Sequence, residues 1–147
     1  MFNKIIVCLD GSSLAEQILP YATEQTQRFG SKLVLLQVVV PRSATSLLPE
    51  NQPIVAGPEA VKQDEKEAKE YLDRLAQPLR QMGLDVDCIT IVGAPGDGIV
   101  SYAAKNQCDL IAIATHGRSG LKRLFFGSVA EYVLKQSGLP ILLIKPK

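Results

Sequence analysis

Short runs that are apolar on both faces constrain the fold of this chain more than any other feature of its sequence. A strand without a polar face is typical of a parallel sheet that helices cover on both sides. Helical patterns occupy the intervals, so strand and helix alternate along the chain. Right-handed crossovers then favour a doubly wound α/β fold, with a five-stranded parallel sheet in the order 3-2-1-4-5 and helices on both faces. The predicted strands cover residues 4–9, 33–40, 85–92, 110–114 and 140–144.

Amphipathic segments between these runs are predicted to form the covering helices. The first predicted helix begins at Ser13 and ends before Gly30, and the others cover residues 59–82, 98–106 and 129–136. Pro20 lies in the first helix, where it is tolerated near the first turns or with a kink. The expected apolar face of that helix consists of Leu14, Ile18, Ala22 and Phe29. Residues 41–58 contain four prolines and predict a long loop.

Length and composition indicate a globular protein of ordinary size. The 147 residues predict one domain, residues 1–147, with 46% hydrophobic and 21% charged residues. A net charge of +1 argues against a nucleic-acid partner, and no apolar run is long enough to span a membrane. Without a signal-peptide pattern at the start, we expect a cytoplasmic protein. Cys8, Cys88 and Cys108 lack metal-ligand spacing, so we expect buried reduced thiols and no metal site.

A glycine-bearing loop after the fourth strand predicts a phosphate site. The loop begins Thr-His-Gly-Arg-Ser-Gly at residues 115–120, and a helix starts near Gly127 and Ser128. The first N–H groups of a helix lack intrahelical partners, and the helix dipole favours anions there. Glycine lets a phosphate approach the backbone closely. The same helix start has a second interpretation, because Ser128 and Glu131 have the spacing of a capping box.

Asp10 is predicted to lie beside this loop. It ends the first strand, and the first and fourth strands flank the point where a sheet of this order changes direction. Doubly wound folds bind ligands in the crevice at that point. A carboxylate there can accept hydrogen bonds from ribose hydroxyls, although a turn aspartate that caps the first helix fits the same pattern.

Along its whole length the chain resembles the universal stress protein family. Residues 5–12 resemble the family's opening strand and Asp-Gly-Ser turn, and residues 115–121 and 127–131 resemble its signature loop and helix. The ATP-binding branch of the family carries Gly-x2-Gly-x9-Gly-Ser/Thr. Gly117, Gly127 and Ser128 stand at this spacing, whereas Ala114 replaces the first glycine. Alanine adds one methyl group and keeps strand dihedrals, so we expect the site to survive.

The resemblance implies the ligand and the role of each residue. The ligand would be ATP, or AMP or ADP, with Mg²⁺ as an optional companion. Asp10 would bind the ribose hydroxyls, and Val38 the adenine edge through its backbone. Ile113 and Ala114 would flank base and sugar. The phosphates would lie against Gly117, Gly127, Ser128 and Val129.

Three functions are compatible with this sequence. The first is an ATP-binding regulatory switch in stress response, the second a slow ATPase or nucleotidyl transferase, and the third an interaction module that binds no nucleotide. Asp10 with Gly127 and Ser128 favours the first over the third. The sequence offers no acid–base or metal cluster beside His116, the only histidine, which favours the first over the second. An apolar edge strand and the resemblance both predict a homodimer through residues 141–144.

Overall fold

A computed structural model describes residues 1–41, 43–44, 54–55, 57–115 and 127–147. Twelve helices and strands are found in these ranges. The strands are β1 (Lys4–Leu9), β2 (Lys32–Val39), β3 (Ser43–Ala44), β4 (Ile54–Val55), β5 (Val86–Val92), β6 (Leu110–Ala114) and β7 (Ile141–Ile144). The helices are α1 (Ser13–Glu16), α2 (Leu19–Phe29), α3 (Pro58–Gln81), α4 (Pro95–Lys105) and α5 (Ser128–Gln136).

The main sheet has five parallel strands in the order β5-β2-β1-β6-β7. Counted along the five strands of this sheet, that is the predicted order 3-2-1-4-5, and the prediction is confirmed. β1 lies at the centre, and its Ile5 is in register with Leu33 of β2 on one side and with Leu110 of β6 on the other. The direction change therefore falls between β1 and β6.

Alternate side chains of the sheet enter two apolar clusters, one on each face. On the first face, Ile5, Val7 and Leu9 of β1 pack in one cluster with residues of α1, α2 and α3. On the second face, Ile6 and Cys8 of β1 pack in another cluster with residues of α4 and α5. Helices therefore cover both faces, as the wholly apolar strands predicted.

The first predicted helix is divided into two. α1 ends at Glu16, and α2 begins at Leu19 with Pro20 in its first turn, where the missing N–H has no intrahelical acceptor. Ile18 and Ala22 are fully buried, but Leu14 and Phe29 are 39% and 42% exposed, so half of the expected apolar face is wrong.

Other boundaries differ from the predictions by a few residues. α4 begins at Pro95 rather than at residue 98, because proline is well suited to a first helical turn. The expected loop 41–58 contains a short antiparallel pair, with Ser43 opposite Val55 in β3 and β4. No helix in the described part of the chain has both the length and the apolar character needed to cross a membrane.

Candidate functional site

Asp10 is half-buried and lies directly after β1, at the carboxyl end of the sheet. Its Oδ1 accepts hydrogen bonds from the Ser12 backbone N–H at 2.9 Å and from the Ser12 hydroxyl at 2.6 Å. Ser12 Oγ in turn accepts from the Ala15 N–H at 3.2 Å and caps α1. The N-cap is therefore Ser12, directly before the predicted helix start at Ser13. Gly11, with a φ of +84°, permits the turn and fixes the direction of the Asp10 carboxylate.

Three of the predicted site residues share the second face. Ile113 of β6 is buried in the second cluster, and Val38 of β2 and Val129 of α5 pack against it. Asp10 directly follows Leu9, the last residue of β1, and β1 runs parallel to β6, so Asp10 lies at the edge of the sheet where β6 also ends. The carboxylate thus lies at the same edge of the sheet as the end of β6, which carries Ile113.

Ala114 points the other way. Its side chain belongs to the first cluster, whereas that of the preceding Ile113 belongs to the second. Only the backbone of Ala114 can therefore face a ligand that lies against Ile113. A methyl group at this position is buried on the first face, which explains how alanine can replace the glycine of the family pattern.

The start of α5 differs from the capping-box prediction. Gly127 is the N-cap, with φ −49° and ψ 150°, and none of the described side chains caps this helix. Ser128 is the first helical residue and is exposed, while Glu131 accepts a hydrogen bond from Lys135 at 2.6 Å. The capping box is therefore wrong. A helix start that no side chain caps has first-turn N–H groups directed outward, which is the arrangement that binds anions.

Gly117 and His116 lie outside the described residues. The strand that leads to them is firmly held, because Thr115 donates from its N–H and its hydroxyl to the Ile144 carbonyl oxygen at 2.8 and 3.3 Å. This carbonyl belongs to Ile144, the last paired residue of β7. Both bonds fix the point at which the glycine loop leaves the sheet.

The first turn of α4 packs closely against two parts of the site. A Cβ built at Gly96 would lie 2.6 Å from Cδ1 and 3.1 Å from Cβ of Tyr132 in α5. A Cβ built at Gly98 would lie 3.0 Å from Cγ2 of Val38. The sequence shows the glycine pair, but only the structure shows which elements approach it.

Polar groups gather under α1 on the first face. The Tyr71 hydroxyl of α3 donates to Glu16 of α1 at 2.8 Å. Burial raises the pKa of Tyr71, and the adjacent Glu16 and the charge of Asp10 raise it further. Gln37 of β2 lies near Gly11, and its buried Oε1 has no hydrogen-bond partner among the described residues. Its place within an otherwise apolar run was the only sequence signal for this residue.

The junction between α1 and α2 is tied to the chain beyond β7. The Gln17 side chain donates to the Lys147 carbonyl oxygen at 3.2 Å and accepts from the Lys147 N–H at 2.9 Å. The two bonds connect the junction between α1 and α2 to the segment that follows β7. Among the described residues, no group of three or more His, Cys, Asp or Glu side chains is placed to hold a metal ion.

The sequence matches the model of the Universal stress protein family over residues 1–145. It is 30% identical over 157 residues to universal stress protein MJ0577 of Methanocaldococcus jannaschii, covering 100% of this chain and 97% of that protein. It is 28% identical over 145 residues to universal stress protein MJ0531 of the same organism, covering 99% of this chain and 83% of that protein.

Solved structures show the same fold. The structure of MJ0577 superposes with a TM-score of 0.83 at 31% identity, covering 100% of this chain and 98% of that one. A universal stress protein from Archaeoglobus fulgidus in complex with dAMP gives 0.68 at 23%, covering 99% and 98%. A universal stress protein in complex with cAMP gives 0.64 at 22%, covering 97% and 96%.

Proposed function

The chain belongs to the universal stress protein family, and from this premise we propose that it is a regulatory protein that binds an adenine nucleotide. One observation supports the proposal: Asp10 follows β1 at the edge where β2 and β6 also end, and Val38, Ile113 and the start of α5 belong to the second face. An acceptor for hydroxyls, a surface for a base and N–H donors for phosphate are the three groups that a nucleotide requires.

The fold itself can hold such a ligand. Two proteins that share it have been solved with dAMP and with cAMP, both of which are adenine nucleotides with one phosphate. At 22% and 23% identity they support the fold alone. The assignment to this chain therefore depends on its own residues.

Each residue would have a separate task. Asp10 would accept hydrogen bonds from the ribose hydroxyls, since its other function in the Ser12 turn holds it in place. The Val38 backbone and the Ile113 side chain would contact adenine, and Ala114 would contribute backbone only. The first-turn N–H groups at Ser128 and Val129, reached past Gly127 and Gly117, would bind phosphate. ATP would also bring Mg²⁺, held through its own phosphate oxygens and water.

A switch fits this set of residues better than a fast enzyme. The described part of the site supplies hydrogen-bond donors, one carboxylate and apolar contacts, and these bind and orient a nucleotide. A ligand that bridges β1, β2, β6 and α5 stabilises the bound state by mass action, which is sufficient for regulation. We place this function in the cytoplasm, because Cys8, Cys88 and Cys108 are free thiols, as is typical of a reducing compartment.

We further propose that two copies associate through β7. This strand forms one edge of the sheet, and its four residues, Ile141–Ile144, are apolar and only partly buried. An apolar edge strand is a template for pairing with another chain. Antiparallel pairing around a twofold axis would complete the backbone hydrogen bonds of both copies.

Nucleotide binding is tested with the native protein. Mass spectrometry of the ligand released from the purified protein identifies what it binds, and calorimetry with ATP, ADP and AMP gives the affinities. A nucleotide at a hundred times its Kd should stabilise the fold by about 2.7 kcal/mol. Gly127→Val should bind more weakly, because its side chain blocks the approach to α5. Absence of any nucleotide in the native protein, together with no heat of binding at millimolar ATP, would refute the proposal.

A further inference from the structure

We propose that Gly96 and Gly98, in the first turn of α4, are positioning residues for the nucleotide site. Gly96 sets the distance between α4 and α5, and Gly98 sets the position of the Val38 side chain. The inference rests on the proposed nucleotide binding and adds to it which residues outside the site hold the phosphate and base regions in place.

Gly96 of α4 lies directly against Tyr132 of α5. A Cβ at this position would meet Tyr132 at Cδ1 (2.6 Å), Cγ (2.8 Å) and Cβ (3.1 Å). A change of χ1 at Tyr132 could relieve the first two contacts, but it cannot move the Cβ, which is fixed to the helix backbone. In helices only two χ1 rotamers are common, which limits that rotation further. A side chain at residue 96 therefore displaces α5 itself.

Tyr132 lies about one turn after the start of α5. A shift of the helix at Tyr132 is carried to Ser128 and Val129, because a helix moves as a rigid element over so short a distance. Binding groups must be held to within about 0.5 Å to work well. The side-chain-free surface of Gly96 thus determines where the first-turn N–H groups lie.

Gly98 acts on the other end of the site. A Cβ there would lie 3.0 Å from Cγ2 and 3.4 Å from Cγ1 of Val38, and 3.6 Å from Cγ2 of Ile91. Val38 is held between α4 and the second cluster, so a methyl group at residue 98 would press it toward the sheet. Val38, whose backbone is proposed to contact adenine, is then displaced, while the start of α5 is not.

The two glycines therefore make different predictions for two ligands. ATP uses both ends of the site, whereas adenosine lacks phosphates and uses only the base and ribose region. Gly96→Ala should weaken ATP binding by about tenfold and leave adenosine binding close to that of the wild type. Gly98→Ala should weaken ATP and adenosine by the same factor. Calorimetry with ATP and with adenosine measures both.

Gly57→Ala is the matched control. Gly57 is the N-cap of α3, it has an ordinary φ of −64°, and a Cβ there would meet nothing within 4 Å. The Gly57→Ala variant should bind both ligands as the wild type does. The double variant Gly96→Ala with Tyr132→Ala removes the ring contacts but keeps the Cβ contact at 3.1 Å, so it should recover only part of the ATP affinity.

Two results would overturn the positioning role. One is ATP binding by Gly96→Ala equal to that of Gly57→Ala, which means that Tyr132 yields and α5 stays. The other is an equal loss of ATP and adenosine affinity in Gly96→Ala, which assigns the contact to general packing. If the wild type binds neither ligand, the proposed function fails instead.

Amide NMR spectra of the free protein distinguish a failure of the positioning role from a failure of nucleotide binding. Gly96→Ala should shift the amide signals of Val129 and Ala130, and the double variant should move them only part of the way back. Unchanged signals in Gly96→Ala would refute the positioning of α5 without any reference to nucleotide.

Discussion

At the scale of single residues, Asp10 has two tasks that one substitution can separate. Its Oδ1 holds the turn through Ser12, and its negative charge serves the proposed ribose contact. Asparagine keeps a carbonyl oxygen for the turn but replaces the second oxygen with an N–H donor. Alanine removes both.

Asp10→Asn should therefore lose nucleotide affinity and keep most of its stability. We expect a Kd about tenfold higher, since a hydrogen bond to a charged group contributes about 1.5–3 kcal/mol. Asp10→Ala should lose affinity and also about 1 kcal/mol of unfolding free energy through the turn. Calorimetry and urea unfolding measure the two effects. Normal affinity in Asp10→Asn would show that the carboxylate serves only the turn.

Buried thiols make stability depend on pH in the alkaline range. Burial raises the pKa of the Cys8 thiol, and nearby Cys108 raises it further. The unfolded chain releases thiol protons above about pH 8.5, while the folded protein retains them. Stability is therefore complete below that pH and falls as the pH rises through the alkaline range.

Urea unfolding at several values from about pH 7.5 to about pH 9.5 checks this dependence below the range where tyrosines titrate. The unfolding free energy should decrease with pH, and it should decrease less steeply in Cys8→Ala. The comparison uses the slopes, because the cavity left by alanine lowers stability at every pH. Equal slopes in both proteins would mean that Cys8 does not contribute.

Local spacing predicts residues well only where neighbours in sequence decide the contact. Asp10 at the end of β1 was predicted, because strand length and turn chemistry fix it. The Ser128–Glu131 capping box was wrong, because Gly127 takes the cap position and Glu131 pairs with Lys135. Tyr132 against Gly96 could not be predicted, because two helices meet there that are far apart in sequence.

At the scale of elements, α1 is a short helix held from several sides. It spans Ser13–Glu16, Ser12 caps it, and Tyr71 of α3 binds Glu16. Gln17, directly after it, binds the backbone of Lys147. A four-residue helix is not stable alone, so these contacts hold it against the Asp10 turn.

Tyr71→Phe should lower the unfolding free energy by about 1 kcal/mol. The substitution removes the hydroxyl that binds Glu16 and leaves the carboxylate half-buried without that donor. Tyr21→Phe is the matched control, because Tyr21 is 54% exposed and should change stability by less than about 0.5 kcal/mol. Urea unfolding of both variants gives the comparison. Equal stability in the two would show that the Glu16 contact contributes nothing.

The strands were predicted more accurately than the helix ends. β1 and β6 have the predicted bounds, because an apolar run bordered by polar residues has clear limits. The division between α1 and α2 was not predicted, since Leu14, Ile18 and Phe29 keep helical spacing across the break. Their burial depends on how α2 packs on the first face, and the local periodicity of the sequence does not specify this packing.

At the scale of the whole molecule, β7 is the edge where a second copy would pair. The carbonyl oxygens of Pro140 and Ile144 accept hydrogen bonds from β6. The backbone N–H and C=O groups of successive residues point to alternate sides of a parallel strand. The N–H and C=O groups of Ile141 and Leu143 therefore face away from β6. Leu142 packs against the first cluster of its own chain, so a lysine there would also disturb the protomer.

Leu143→Pro tests the dimer more cleanly than a change at Leu142. Proline removes an outward N–H that only pairing with a second copy would use, and edge strands tolerate proline at such positions. Leu143→Ala is the control, because it loses the same side chain and keeps the N–H. Light scattering should find a dimer for the wild type and for Leu143→Ala, and a monomer for Leu143→Pro. A dimeric Leu143→Pro or a monomeric wild type would contradict the proposed interface.

The central position of β1 has a consequence for how the chain is made. β1 leaves the ribosome before the other described strands, and β2 follows soon after and covers one of its edges. The other edge pairs with β6, which is synthesised more than a hundred residues later. Pairings between distant segments form slowly, and unpaired apolar strands promote aggregation while they wait. The middle of the finished sheet thus stays open on one side until β6 has been made.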